Sequence, residues 1–314
     1  MPIEPVILFF LLGLLAGIVR SDLKIPAILY ESLSIFLLLA IGLKGGIELA
    51  RYPVLSLAGQ AAVVLAAAAL IPLFAFAVLH RLGKLSRANA ASIAAHYGSV
   101  SVVTFAVAAS FLSRREVDYE GYMVVFLALL EFPALLIGAI LAKRGSSSGQ
   151  WGPMLREVLS GKSIVLLIGG LLIGWIAGPE GIKPLDRLFL DLFKGVLAFF
   201  LLEMGLVVAS RLGDLRKAGA FLIGFGIAMP LVGASLGLIV GHLLDLSIGG
   251  SVLLAALFAS ASYIAAPAAM RIAIPEANPA LSIGAALGIT FPFNLLIGIP
   301  LYHQMAVRLA GDFQ

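Results

Sequence analysis

Two short polar strings interrupt long apolar runs: Gly98-Ser99-Val100-Ser101, and Ala259-Ser260-Ala261-Ser262. A serine hydroxyl donates one hydrogen bond and accepts two, and serine is a favoured residue at helix starts. Placed where a helix breaks, such serines join free backbone N–H groups at the positive end of a helix dipole, a set that suits an anion. Hydroxyls and freed carbonyls also suit a small hard cation such as Na⁺. Deep in two other apolar runs, Glu131 precedes Phe132-Pro133, and Thr290 precedes Phe291-Pro292 with Asn294 just beyond. A carboxylate at such depth needs a partner or an ion. These residue types point to an anion at Gly98, Ser99, Ser101, Ser260 and Ser262, and to a cation at Glu131, Thr290 and Asn294. A plainer reading stands beside it. Glycine and serine also let helices approach closely, and a buried Glu131 can be protonated or can pair with a lysine.

The elements that must carry these residues are membrane helices. The chain of 314 residues is 61% hydrophobic and 12% charged, where soluble domains carry roughly 45–50% and about 25%. Its mean hydropathy of +1.09 agrees. The apolar residues come in runs long enough to span a bilayer. Ten spans are expected, at 4–20, 25–44, 53–79, 87–112, 120–143, 163–178, 186–210, 218–244, 249–272 and 281–308. Residues Lys143–Lys162, rich in Gly, Ser and basic side chains, read as a linker. The domains are then a first five-span unit (1–143), a short linker (144–162) and a second five-span unit (163–314). Thirteen Lys and Arg residues fall in loops on the linker's side and seven on the other, with Lys194 inside a span. The richer side is expected to be cytoplasmic, with both termini outside. The first apolar run has only Glu4 as a charged neighbour before it, which fits a span rather than a cleaved signal.

Some chemistries are excluded. Without cysteine there is no disulfide and no thiolate site. The four histidines have no ligand spacing, and His96 reads as a packed or interfacial residue. No hydrolase, zinc-protease or Walker signature occurs, so neither an enzyme nor an ATP-driven pump is expected, and no organic cofactor. The basic pI reflects cytoplasmic loops and not nucleic acid. Glu203 and Asp191 are weaker intramembrane candidates. Lys44 and Glu48 sit near a span end and can snorkel.

The halves repeat one another. Leu39–Ala50 matches Leu201–Leu212, Gly98–Ser101 matches Ala259–Ser262, and Phe132–Leu141 matches Phe291–Leu301, in the same order. Five spans per unit is odd, so the second unit enters from the opposite side. Inverted repeats with discontinuous helices place ligands at mid-depth where the repeats meet. Pro267 frees a carbonyl near Tyr263, and the fourth and ninth spans are expected to break and cross there. The expected fold is an all-α integral membrane protein of ten helices in two inverted repeats.

Phe258–Tyr302, read with Gly42–Gly46 and Glu131–Leu135, resembles the sodium-dependent bicarbonate transporters of the SbtA type, and the resemblance spans all ten expected helices. It implies sodium-coupled uptake of bicarbonate across a bacterial cytoplasmic membrane, a homotrimer, and elevator-like motion of a core domain against a gate domain. It also implies ligands at the crossing helices: Gly98, Ser99, Ser101 and Thr104 from one, Ser260 and Ser262 from the other. Thr104 joins Glu131, Thr290 and Asn294 as an expected sodium ligand. Glu131 stands where cyanobacterial members carry aspartate, and Val102 and Val103 where they carry glycine and serine. The linker is shorter than in those members, whose longer loop goes with control by a PII-like nucleotide-binding partner. The alternatives are Na⁺- or H⁺-coupled transport of another small anion or carboxylate, and a membrane sensor or scaffold that does not transport.

Overall fold

The structure, a computed structural model, describes residues 4–52, 54–142 and 151–311, and these contain no strand. In chain order the helices are α1 (Pro5–Ile18), α2 (Ala27–Leu49), α3 (Val54–Ala77), α4 (Arg87–Gly98), α5 (Val102–Arg114), α6 (Met123–Leu130), α7 (Pro133–Ala142), α8 (Trp151–Leu159), α9 (Lys162–Ile182), α10 (Phe193–Leu243), α11 (Ile248–Ala259) and α12 (Ala265–Ala273). The last, α13, is the helical stretch Pro279–Gly311.

Helix covers most of the described residues in each of the ten expected runs. Among the described residues, eight helical stretches are long and apolar enough to cross a membrane alone. The other two, α1 and α11, have 14 and 12 residues. At 1.5 Å per residue these fall short of a hydrocarbon core about 30 Å thick.

Three features depart from the sequence reading. The expected loop between the seventh and eighth runs is absent, because α10 continues through it and turns only at Gly219 (φ 80, ψ 159). Gly178 (φ 62, ψ −177) makes a similar turn near the end of α9, where the sixth expected run ends. Both conformations are open essentially to glycine alone, so one residue does the work of a loop. The linker is not featureless either. Part of it folds as α8, which packs against α12, while 143–150 lie outside the described residues. Within α13, the stretches Gly284–Thr290 and Asn294–Gly298 widen to π-helix around Pro292, a local change often found at functional sites.

Glycines set the closest helix pairs. A Cβ on Gly42 would stand 2.5 Å from the Leu167 carbonyl, and one on Gly170 2.9 Å from the Leu39 carbonyl. Gly46 and Gly174 meet the partner backbone in the same way, so α2 and α9 touch through two glycine pairs spaced four apart. Gly13 and Gly205 do this for α1 and the first half of α10. These helices form one group. The others gather around α4, α5, α11 and α12. The stretch Arg87–Arg114 is 94% buried over its apolar window, against 22% for Lys162–Leu185. Non-helical backbone survives at membrane depth only where protein or a cavity surrounds it, and Arg87–Arg114 meets that condition.

The two broken segments share their local geometry. Lys84 and Asp245 both have φ 52, two residues before a capping serine. Ser86 accepts from the Asn89 amide at 3.3 Å and Ser247 from the Gly250 amide at 3.0 Å. Each first half-helix then runs twelve residues. It ends on an extended serine, Ser99 (φ −89, ψ 168) or Ser260 (φ −83, ψ 166). The loops after each segment are exchanged. Glu120 accepts from the Ser247 amide at 2.6 Å, and the Asn278 amide donates to Asn89 Oδ1 at 2.7 Å.

Candidate functional site

The fourth run breaks at residues 99–101 and the ninth at 260–264. Pro267 lies downstream of its break, in the first turn of α12, where a missing N–H leaves no gap. Its expected unpaired carbonyl partner, Tyr263, lies inside the break.

The breaks touch. The Ser101 amide donates to Ser260 Oγ at 2.9 Å, and the Ser262 amide donates to the His96 carbonyl at 2.8 Å. Two helices, α5 and α12, therefore begin at the same place. A serine hydroxyl takes one free amide at each start. Ser101, the N-cap of α5, accepts from the Thr104 amide at 3.2 Å. Ser262, two residues before the α12 N-cap Ile264, accepts from the Ala266 amide at 3.2 Å. Both serines are engaged as acceptors, which leaves their O–H hydrogens to be aimed by rotation. Both helix starts carry partial positive charge.

Ser101, Ser262 and Glu131 line one cavity of about 10 Å³, with Val100, Val102, Ser163, Tyr263 and Ile264. Glu131 is 2% exposed, and its Oε2 has no hydrogen-bond partner among the described residues. The turn before Pro133 places it there, at the end of α6. A buried, unpaired carboxylate oxygen calls for a cation or a proton. The Tyr263 hydroxyl is likewise buried, with the Ser101 hydroxyl in hydrogen-bonding reach.

The other expected site residues divide. Ser99 donates to the Glu131 carbonyl at 3.2 Å, which ties the first break to the kink in the fifth run. Ser260 donates to the Leu257 carbonyl at 2.8 Å and serves as the crossing acceptor. Gly98 faces Pro72 and Ala134 where a Cβ would clash. Thr104 is buried in the first turn of α5. Thr290 and Asn294 do not line the cavity with Glu131. Thr290 shares a 2.7 Å hydrogen bond with the Tyr97 hydroxyl and donates to the Gly226 carbonyl at 2.7 Å. Asn294 donates to the Ala259 carbonyl at 2.9 Å and accepts from the Tyr302 hydroxyl at 2.6 Å. Asn294 thus braces the end of α11, and Thr290 ties the end of α4 to α10 behind the break. Sequence reasoning missed Tyr263 and Ser163. Tyr263 adjoins the serine string and could have been read from it; Ser163, at the start of α9, carries no signal of its own.

A larger cavity, about 400 Å³, lies beyond the break along α5. It separates Phe105–Ser113 from Ala40, Ile41 and Lys44 of α2 and from Asp191 and Lys194. The Lys44 ammonium donates to the Tyr119 hydroxyl at 3.0 Å. A third cavity flanks α4 on the other side of the break.

No curated protein matches the chain. A family model does, from residue 5 to residue 307. The chain, an integral membrane protein with its two helix breaks bonded to one another, belongs to the Na⁺-dependent bicarbonate transporter superfamily, a family of transporters and not of enzymes.

Proposed function

We propose that this chain is a Na⁺-coupled symporter that carries bicarbonate into the cell, with its ligands at the crossing of the two broken helices. One observation carries the reading: α5 and α12 start together, and the hydroxyls that accept from their first-turn amides, Ser101 and Ser262, share a cavity with the buried Glu131. Two helix starts and two steerable O–H groups suit an anion. The unpaired carboxylate beside them suits Na⁺, so that each ion offsets the other's charge. Gly98, Ser99 and Ser260 set the backbone of this site. In the proposal Thr104 joins Glu131 at the sodium through its hydroxyl, and Thr290 and Asn294, the other expected ligands, support the wall behind them. A cavity of about 10 Å³ holds about one water. Bicarbonate therefore enters only when the site opens.

The opening we propose is elevator-like. The core contains the broken helices, and the gate contains α1, α2, α9 and the first half of α10, with the 400 Å³ cavity at their boundary. Lys44 and Lys194 there would draw an anion toward the break. Matched caps, matched φ values and exchanged loop clamps support an inverted repeat. So does the pairing of α1 with α10 and of α9 with α2, which such a repeat would interconvert. The linker is placed in the cytoplasm and both termini outside, in the bacterial inner membrane. A homotrimer and a PII-like partner belong to the same proposal.

The test is uptake of radiolabelled bicarbonate into proteoliposomes under an inward Na⁺ gradient, with a K⁺ gradient as control. Uptake that requires Na⁺ supports the symporter. Folded, inserted protein with equal uptake under both gradients would overturn the coupling, and competition by formate, acetate or sulfate would redirect the substrate.

A further inference from the structure

The third cavity shares no lining residue with the cavity at the crossing. It has a volume of about 80 Å³ and lies between α4 and α12, on the side where α7 ends and the linker begins. Ser92 and His96 line it from α4, Pro267, Met270 and Arg271 from α12, and the loop after α12 covers it. That loop is held in place. The Asn278 amide donates to Asn89, and the hydroxyls of Ser92 and Ser282 share a 3.0 Å hydrogen bond.

His96 gives the cavity its chemistry. The side chain is 1% exposed. Its Nδ1 lies 2.8 Å from the Ser92 carbonyl. A carbonyl only accepts, so Nδ1 carries the proton, and Nε2 of the neutral ring presents a lone pair. That Nε2 is buried and has no partner among the described residues. Buried polar atoms are rarely left so, and each such exception asks for a missing donor. Arg271 lines the same cavity and is exposed at its mouth. No lining residue is acidic; Glu276, in the covering loop, is not among them.

From this geometry we infer a second anion site on the linker side, specific for a small monoprotonated oxyanion. The ligand must offer oxygen acceptors to Arg271 and one O–H donor to His96 Nε2. The volume is about eight times that of the cavity at the crossing, which leaves room for an anion of about four heavy atoms. Bicarbonate has this size and this one O–H. Formate has the size and charge without the O–H. From the proposed function the inference borrows only the ligand class. An occupant would bridge α4 and α12. It would also bear on the crossing, because the His96 carbonyl accepts from the Ser262 amide.

The test is equilibrium binding of radiolabelled bicarbonate to the full chain in lipid nanodiscs, in K⁺ buffer without Na⁺. Wild type and the Ser101→Ala/Ser262→Ala double variant are expected to bind alike. Arg271→Gln and His96→Phe are each expected to bind at least about tenfold more weakly, and formate to compete at least about tenfold less well than bicarbonate, because a site built around a donor rejects its analogue. Arg271 is exposed, so its variant tests the site even if the buried His96 variant fails to fold. Absence of Na⁺-independent binding overturns the inference, as does unchanged affinity in Arg271→Gln. Loss of that binding in the double variant would assign it to the crossing and would equally overturn the second site. Failure of Na⁺-driven uptake is a separate result, read in proteoliposomes.

Discussion

The Ser101 amide donates to Ser260 Oγ across 159 residues of chain, at 2.9 Å and wholly inside the protein. The reciprocal bond runs from the Ser262 amide to the His96 carbonyl. Each break thus satisfies an N–H with an oxygen of the other broken helix, and the crossing is one hydrogen-bonded unit. Ser260→Ala would leave the buried Ser101 N–H without its acceptor. An unsatisfied buried donor costs about 1–3 kcal/mol. Thermal unfolding in nanodiscs should show that loss. An unchanged midpoint would mean that the amide finds another acceptor.

Ser101 and Ser262 have a second duty, as hydroxyls that face the cavity and accept from a first-turn amide of α5 and of α12. Ser86 has only the cap. All three alanine variants should therefore lose about 0.5–2 kcal/mol of stability. Only Ser101→Ala and Ser262→Ala should also lose transport. A hydrogen bond to a charged group contributes about 1.5–3 kcal/mol, which translates to a rise of about tenfold or more in the bicarbonate KM. Equal transport in all three would place the substrate elsewhere.

The run lengths, the serine strings and the two Phe-Pro positions were legible because bilayer thickness and backbone hydrogen bonding constrain them strongly. Of the candidate site, Ser101, Ser262 and Glu131 were legible as residues that the fold brings to one cavity. Thr290 and Asn294 show where residue type stops being informative. A hydroxyl or amide at mid-depth can face a ligand or brace a wall, and only the fold shows Thr290 on Tyr97 and Asn294 on Ala259. Gly178 precedes Pro179, and that pair was legible as the end of the sixth run. The position of the turn at Gly219 was hidden for another reason: its neighbours Ala218 and Ala220 are good helix formers. The π-helical stretches of α13 carry no local signature either, since they follow from how α13 meets its neighbours.

Glu131 separates the two forms of ion coupling. As a sodium ligand, its change to Gln removes the charge and keeps the shape. The apparent Na⁺ affinity should then fall about tenfold or more, equivalent to about 1.4 kcal/mol or more. Glu131→Asp should retain part of it, since a carboxylate remains. If Glu131 instead carries a proton, Glu131→Gln should leave the Na⁺ dependence unchanged and flatten the pH dependence of uptake. Na⁺ titrations at several pH values distinguish the two.

Motion of a core against a gate makes the 400 Å³ cavity change shape during each cycle. Its walls are Ala40 and Ile41 of α2 on one side and Ala106 and Ala109 of α5 on the other. The chain has no cysteine, so cysteine pairs need no prior removal. In Ala40→Cys/Ala109→Cys, a short bifunctional thiol reagent should tie gate to core and arrest uptake. A reagent cleaved by reductant should restore it. As a control, Leu43→Cys with Leu171→Cys would join α2 to α9, both within the gate, whose glycine-mediated contact is too close for sliding. That link should leave uptake nearly intact. Full cross-linking across the cavity with undiminished transport would rule out relative motion of these two groups, and the site would then have to open by local movement of α5 and α12 alone.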